Sequence, residues 1–306
     1  MWTPFLHALS IAAAIVGNFQ HSLNSSYETV KTLSDTQFAE FMPYIEFARA
    51  AYCTPNKVVG WQCGDACNAL PGFLPTLTGG DGDGTQYFYV GFWPAQSAVV
   101  VAHQGTDPLQ LMAVLTDLNL ECTAPDPTLF PSIPSDVQLH SGFALEHQKT
   151  APKILEEVKR LMAEHSSTHV ILIGHSLGGA LAELDTLFMK LNLPAGTTVR
   201  GATFGTPRVG NAAWAAFFDS QVTNFTRMNH MRDPVPTVPH RLLGFRHPRR
   251  EIHIESDGRA VACPGADDGK DPQCSNKMVP IIQNGNVIDH LGPYRGVFIG
   301  TTFCTP

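Results

Sequence analysis

Residues 169–190 read HVILIGHSLGGALAELDTLFMK. Val170, Ile171, Leu172 and Ile173 form a short apolar run of the kind that fills a strand covered on both faces. Gly174-His175-Ser176-Leu177-Gly178-Gly179 interrupts it, and Ala180, Leu181, Leu184, Leu187 and Phe188 then recur at helical spacing. Strand, abrupt turn and helix, with a serine at the corner, is the pattern of a nucleophile elbow, in which Ser176 is strained and exposed with its hydroxyl clear of the sheet. Side chains two residues before and after the serine would collide across so tight a turn, so Gly174 and Gly178 carry none. The helix behind the serine points free N–H groups and the positive end of its dipole at any oxyanion formed there. The plainer reading is a Gly-rich strand–helix turn with an incidental serine. The flanking strand and helix, in the order the motif demands, weigh against it.

Outward from this stretch, strands and helices alternate. Ser34 to Ala51 reads as a helix capped by Ser34, with Phe38, Phe41, Ile45 and Ala48 at helical spacing. Residues 86–106, QYFYVGFWPAQSAVVVAHQGT, read as two strands about a turn at Pro94-Ala95-Gln96. The Pro-rich stretch 124–136 must be loop. Phe143 to His165 reads as an amphipathic helix presenting Ile154, Leu155, Val158 and Met162. After the elbow come a strand from Val199 to Phe204, a helix from Ala212 to Asp219, and a strand from Phe225 to Met231. Arg250 to Ser256 reads as a further strand. This alternation predicts an α/β sheet, mostly parallel, with helices on both faces. No linker interrupts it, so residues 18–306 are expected to form a single catalytic domain.

Composition narrows the compartment and the partners. The chain has 306 residues, a net charge of −7 and a pI near 6.0, which argue against a nucleic-acid or anionic-membrane partner. Phe5 to Val16 is apolar but too short to span a bilayer. It has the length of a signal-peptide core, with small residues near Ala14 and Gly17 for cleavage, so residues 1–17 are expected to be a signal peptide. No Lys or Arg precedes it, and a buried N-terminal helix is the alternative. The seven cysteines show no zinc spacing with histidines. Cys63 and Cys67 could close a small ring, and Cys263 and Cys274 flank a polar loop. Cys53 and Cys304 lie near the two ends of the mature chain, where termini are often close. Cys122 is then the odd thiol. Asn24 and Asn224 begin two glycosylation sequons.

A serine alone is a poor nucleophile; it needs a base to take its proton and an acid to orient that base. An elbow implies the chain order serine, carboxylate, histidine. Asp233 fits the second place, because it closes a strand and is flanked by Pro234 and Pro236. Asp185 and Asp219 fall on helices, Asp257 and Asp267 in the polar region near Cys263. Asp289 is adjacent to the favoured base and poorly placed to reach its ring. That base is His290, in a late loop. His253 alternates with Ile252 and Ile254 and should face solvent or sheet, while His240 and His247 lie in an Arg-rich stretch that reads as solvated surface. The oxyanion hole needs the N–H of Leu177 and a second donor from the loop HQGTDP, where Thr106 is the choice. No metal or cofactor is implied, since side chains alone carry acyl transfer.

Five blocks now stand in one order: HQGT (103–106), GHSLGGALA (174–182), TFGTPRVGN (203–211), RDPVPTVP (232–239) and DHLGPY (289–294). In order and spacing they resemble the fungal class 3 lipases, the secreted filamentous-fungal triacylglycerol lipases and related feruloyl esterases. The resemblance covers roughly residues 40–306. It implies an α/β-hydrolase fold and carboxylic-ester hydrolysis by Ser176, Asp233 and His290, with Thr106 and Leu177 as oxyanion hole. It also implies a movable lid after HQGTDP, and disulfides Cys53–Cys304 and Cys63–Cys67. Leu109, Met112 and Ala113 share one helical face of that lid segment, unless PLQLMAVL is packed core. Three features depart from the family pattern. No Trp lies between Pro108 and Asp117, His103-Gln104 stands where Phe-Arg is usual, and the Cys263–Cys274 loop looks like an insertion. An apolar lid ranks a triacylglycerol lipase first and a feruloyl or other soluble-ester esterase second. The expected substrate is a lipid or small-molecule ester met at a transient lipid–water interface. The protein should be an extracellular monomer without stable membrane insertion.

Overall fold

The computed structural model describes residues 29–107, 110, 121–267 and 270–304. The expected signal peptide, Asn24 and the lid residues Leu109, Met112 and Ala113 lie outside the described residues.

The apolar runs become strands of one sheet: β1 (Lys31–Thr32), β2 (Leu74–Gly79), β3 (Phe88–Trp93), β4 (Ala98–His103), β5 (His169–His175), β6 (Thr198–Phe204), β7 (Phe225–His230), β8 (Glu251–Ile254) and β9 (Ala260–Ala262). Their order is β1-β9-β8-β7-β6-β5-β4-β3-β2. The central strands β4 to β8 are parallel, and antiparallel pairs close both edges. Helices α1 (Asp35–Ala39), α2 (Met42–Ala50), α3 (Ser141–Glu164), α4 (Leu177–Asn192), α5 (Ala212–Gln221) and α6 (Val287–His290) surround it. A small second sheet joins Phe245–Arg246, Gly210–Asn211, Leu139–His140 and Cys122–Thr123.

Alternation along β4 and β5 decides what each helix covers. Val100, Ala102, Ile171 and Ile173 point to one face and pack with Tyr44 and Phe47 of α2. Val99, Val101, Val170 and Leu172 point to the other and pack with Ile154 and Val158 of α3 and Leu184 and Leu187 of α4. Both faces of these strands are therefore dry, which is why they read as continuous apolar runs.

One expected element is split. The helix anticipated over 34–51 is two helices, α1 and α2. Ser34 caps α1 in a capping box with Gln37, and Pro43 stands in the first turn of α2. A proline has no N–H to give to the preceding turn but fits a helix start, so the chain begins a new helix there.

The structure pairs Cys53 with Cys304, Cys63 with Cys67 and Cys263 with Cys274. Cys122 lies outside these three. No helix among the described residues is long and apolar enough to cross a membrane.

Candidate active site

Ser176 sits between β5 and α4 with φ 59° and ψ −129°, a backbone region that costs a non-glycine residue on the order of 1–3 kcal/mol. The flanking glycines are sterically required. A Cβ on Gly174 would lie 1.9 Å from the Gly178 carbonyl oxygen, and one on Gly178 would lie 2.3 Å from the His103 carbonyl oxygen. Ser176 is only 2% exposed, so the serine expected to stand out in solvent is enclosed. Part of the reason is the loop after β4. A Cβ on Gly105 would meet the Tyr52 hydroxyl at 2.3 Å, the His175 carbonyl oxygen at 2.4 Å and Ser176 Cβ at 2.7 Å. The chain at Gly105 therefore lies directly on the elbow and sets buried Thr106 beside it. Leu177 is the first residue of α4, where helical N–H groups have no partner within the helix.

Gly105→Ala should consequently push the 105–106 segment away from Ser176. Displacing one oxyanion donor is expected to lower kcat on a soluble ester about 10²-fold, with circular dichroism unchanged. A variant as fast as wild type would place the second donor elsewhere.

Asp233 follows β7 and is 2% exposed. Its Oδ1 accepts the Val235 N–H at 2.8 Å, and its Oδ2 accepts from His290 Nδ1 at 2.9 Å. With a carboxylate as partner, Nδ1 carries the hydrogen. The other nitrogen, Nε2, is buried and makes no hydrogen bond. Gly205, at φ +53° after β6, leaves the space the pair occupies; a Cβ there would lie 2.8 Å from Asp233 Oδ2 and from the His290 ring.

The rival acids are turned to other work. Asp185 on α4 accepts from His103 Nε2 at 2.7 Å and His147 Nε2 at 2.8 Å. Burial raises its pKa, but the two imidazole hydrogen bonds outweigh that and hold it at about 2. Asp289 accepts the Arg232 N–H at 3.1 Å and the Asn286 amide at 2.9 Å. Asp219 meets the Arg249 N–H, and Asp257 pairs with Arg259 at the surface. Asp267, expected in a polar loop, is buried in an ion pair with Arg208 at 2.5 Å.

Two of the rival histidines correct the expectations. His247 is buried, not solvated, with Nε2 2.9 Å from the Pro236 carbonyl oxygen, and burial holds its pKa well below the usual value. His253 is fully buried between the carbonyl oxygens of Gln273 at 2.6 Å and Met231 at 2.8 Å. Gln273 of the 263–274 loop meets the His253 face of the strand, while Ile252 and Ile254 pack into the core on the other face, so neither face is wet. His240 is exposed and caps Leu242.

The profile of the family described as Lipase (class 3) matches residues 100–243. A secreted mono- and diacylglycerol lipase of Malassezia globosa is 30% identical over 260 residues, covering 84% of this chain and 83% of its own. The chain belongs to the class 3 lipases. A second secreted mono- and diacylglycerol lipase of the same organism is 32% identical over 206 residues, and the chain spans 64% of its length. Among solved structures, lipase II of Rhizopus niveus superposes with a TM-score of 0.78 at 26% identity, covering 90% of this chain and 100% of that one. The fold is that of an α/β-hydrolase, as the blocks implied.

Within this class 3 lipase, a support web unread in the sequence braces the site. His175 Nε2 lies 2.8 Å from the His290 carbonyl oxygen, so that nitrogen must donate. His175 Nδ1 then accepts from the Tyr52 hydroxyl at 2.6 Å. Burial, reinforced by the neighbouring His290, keeps His175 neutral, with its pKa well below the usual value. Tyr294 adds a long hydrogen bond to the same His290 carbonyl, at 3.4 Å. Tyr52 precedes the disulfide-bonded Cys53, so the bond to Cys304 anchors this web to the C-terminus. Sequence spacing held no signal for Tyr52, which is 123 residues from its partner.

A second buried carboxyl behaves differently from Asp185. Glu183 on α4 accepts from Trp214 Nε1 at 2.8 Å through one oxygen, and the other oxygen is unpartnered. Burial pushes its pKa up to about 8. The folded protein thus holds this proton more tightly than the unfolded chain, whose Glu titrates near about 4.3. Stability should therefore fall as pH rises between roughly 4.3 and 8, by a few kcal/mol at most. Urea midpoints of Glu183→Gln should decline less over that window than those of wild type; parallel declines would disprove the assignment.

Proposed function

We propose that this secreted carboxylic-ester hydrolase cleaves acylglycerols, with Ser176 as nucleophile, His290 as general base and Asp233 as the acid that orients it. The observation that carries the reading is the buried 2.9 Å contact of His290 Nδ1 with Asp233, which leaves Nε2 a free lone pair at the elbow. Ser176 Oγ attacks the ester carbonyl and passes its proton to His290 Nε2. The Leu177 and Thr106 N–H groups hold the resulting oxyanion. His290 then protonates the departing glyceride oxygen, leaving an acyl-enzyme on Ser176. Water, deprotonated by the same Nε2, releases the fatty acid and restores the serine. Apo enzymes commonly hold such a serine–histidine pair apart until substrate arrives.

The relatives' names favour glycerides over feruloyl esters as substrates. Leu109, Met112 and Ala113 belong to this proposal as the lid, and residues 1–17 as a leader removed on export; a monomer suffices for the chemistry. Initial rates on emulsified mono-, di- and trioleoylglycerol, on a soluble short-chain ester and on methyl ferulate test it. Glyceride emulsions should be cleaved fastest. Preference for methyl ferulate would reverse the order of the two readings. For the lid, each large apolar side chain exposed on opening costs about 1.5–3 kcal/mol in water. The rate should therefore jump when substrate passes its solubility limit, and Leu109→Ser with Met112→Ser should flatten the jump.

A further inference from the structure

The Arg-rich stretch 240–250 is left over by the catalytic reading. Part of it lines a cavity of about 430 Å³ together with the loop closed by Cys263–Cys274. Arg241, Arg246, Lys270 and Lys277 all reach its wall, and buried Arg208 forms its floor. Arg208 is neutralised by Asp267. The other four are not. Arg241 is held by the carbonyl oxygen of Asp267, and Arg246 by those of Arg241 and Phe245. Lys270 and Lys277 are exposed, and neither has an ion-pair partner among the described residues. Among the described residues, four positive charges without a carboxylate partner therefore line one pocket. Carbonyl oxygens fix the guanidinium groups without cancelling their charge, so the cavity keeps a concentrated positive field.

Apolar side chains stand around this pocket. Leu242, on its wall, is 89% exposed, and Leu243, beside it, is 54% exposed. Ile281, next to the lining Pro280, is 52% exposed. The pocket is built on loops that leave the carboxyl ends of β6 and β7. Thr237 on its wall is four residues past Asp233, and Arg208 is three past Gly205. Protruding leucines beside an uncompensated cationic cavity, at the same end of the sheet as the site, match a lipid surface that carries negative headgroups. The net charge of −7 opposes such a surface only at long range; within a Debye length of about 8 Å the local cations dominate.

We propose that this cavity seats the anionic headgroups of a lipid surface while Leu242 and Leu243 enter its apolar layer, docking the enzyme at negatively charged interfaces. The proposal concerns docking and does not depend on Ser176 chemistry. The test uses the full chain carrying Ser176→Ala, so that no lipid is consumed. Its binding to sedimenting vesicles is compared between phosphatidylcholine alone and phosphatidylcholine mixed with phosphatidylglycerol. Mixed vesicles should bind more tightly, and high salt should remove the difference. Each cation near such a surface contributes about fivefold in affinity. Lys270→Gln with Lys277→Gln should therefore weaken binding to mixed vesicles by at least about tenfold, and leave phosphatidylcholine binding alone. In the active background, the same pair of changes should leave soluble-ester hydrolysis unchanged, which shows the fold intact. Equal binding to both vesicle types, or an unaffected double variant, would overturn the proposal. So would stabilisation by inorganic phosphate without any vesicle preference, which would make this a site for a soluble anion.

Discussion

Ser176→Ala should lower kcat on a soluble ester by roughly 10⁴- to 10⁶-fold, the loss expected on removing the proposed nucleophile of an acyl-transfer triad. The change deletes one hydroxyl from a residue held by its backbone. Ser176 N–H is bonded to the Phe204 carbonyl oxygen, and the Ser176 carbonyl accepts from Gly179 and Ala180. None of these bonds uses Oγ. Alanine should keep the elbow, the urea midpoint and substrate binding. The residual rate should be that of donors and binding alone. A fluorophosphonate should label wild type and not the variant. Substantial turnover by Ser176→Ala, with the fold intact, would remove Ser176 from the mechanism.

Asp233→Asn should cost about 10⁴-fold in kcat. The carboxylate fixes the hydrogen of His290 on Nδ1, leaving Nε2 as the acceptor that the proposed mechanism uses as its base. An amide of the same shape can offer its NH₂ to Nδ1, which moves the ring hydrogen to Nε2 and turns the base into a donor. It also no longer stabilises the imidazolium formed when serine gives up its proton. The Val235 N–H can still bond the amide oxygen, so the turn after β7 should survive. Asp289→Asn is the control. Its oxygens serve Arg232 and Asn286, not His290 Nδ1, so the rate should stay within about tenfold of wild type. If Asp289→Asn were the more severe change, the acid would be Asp289.

What the chain itself determined was local or strictly periodic. The elbow could be read because its residue pattern is local: glycines flank the serine and the strand and helix adjoin it at once, although only the clash at Gly174 is with the turn itself and Gly178 is held by the distant loop at His103. The parallel strands could be read because dryness on both faces leaves a continuous apolar run. Asp233 and His290 could be chosen from chain order and strand ends, 57 residues apart. What the tertiary structure alone decided was which polar groups meet across long separations. Alternation marked His253 as facing solvent or sheet, yet a distant loop buries it. An Arg-rich run read as solvated surface, yet His247 is enclosed, and two of its cations, Arg241 and Arg246, converge with Lys270 and Lys277 on one cavity. Tyr52 gave no sign that it would reach His175, nor Asp185 that it would be gripped by two histidines. Periodicity reports whether a side chain faces its own element's dry side. It carries no information about which other element arrives to cover it, and hydrogen bonding between such elements is where this lipase builds the support of its site.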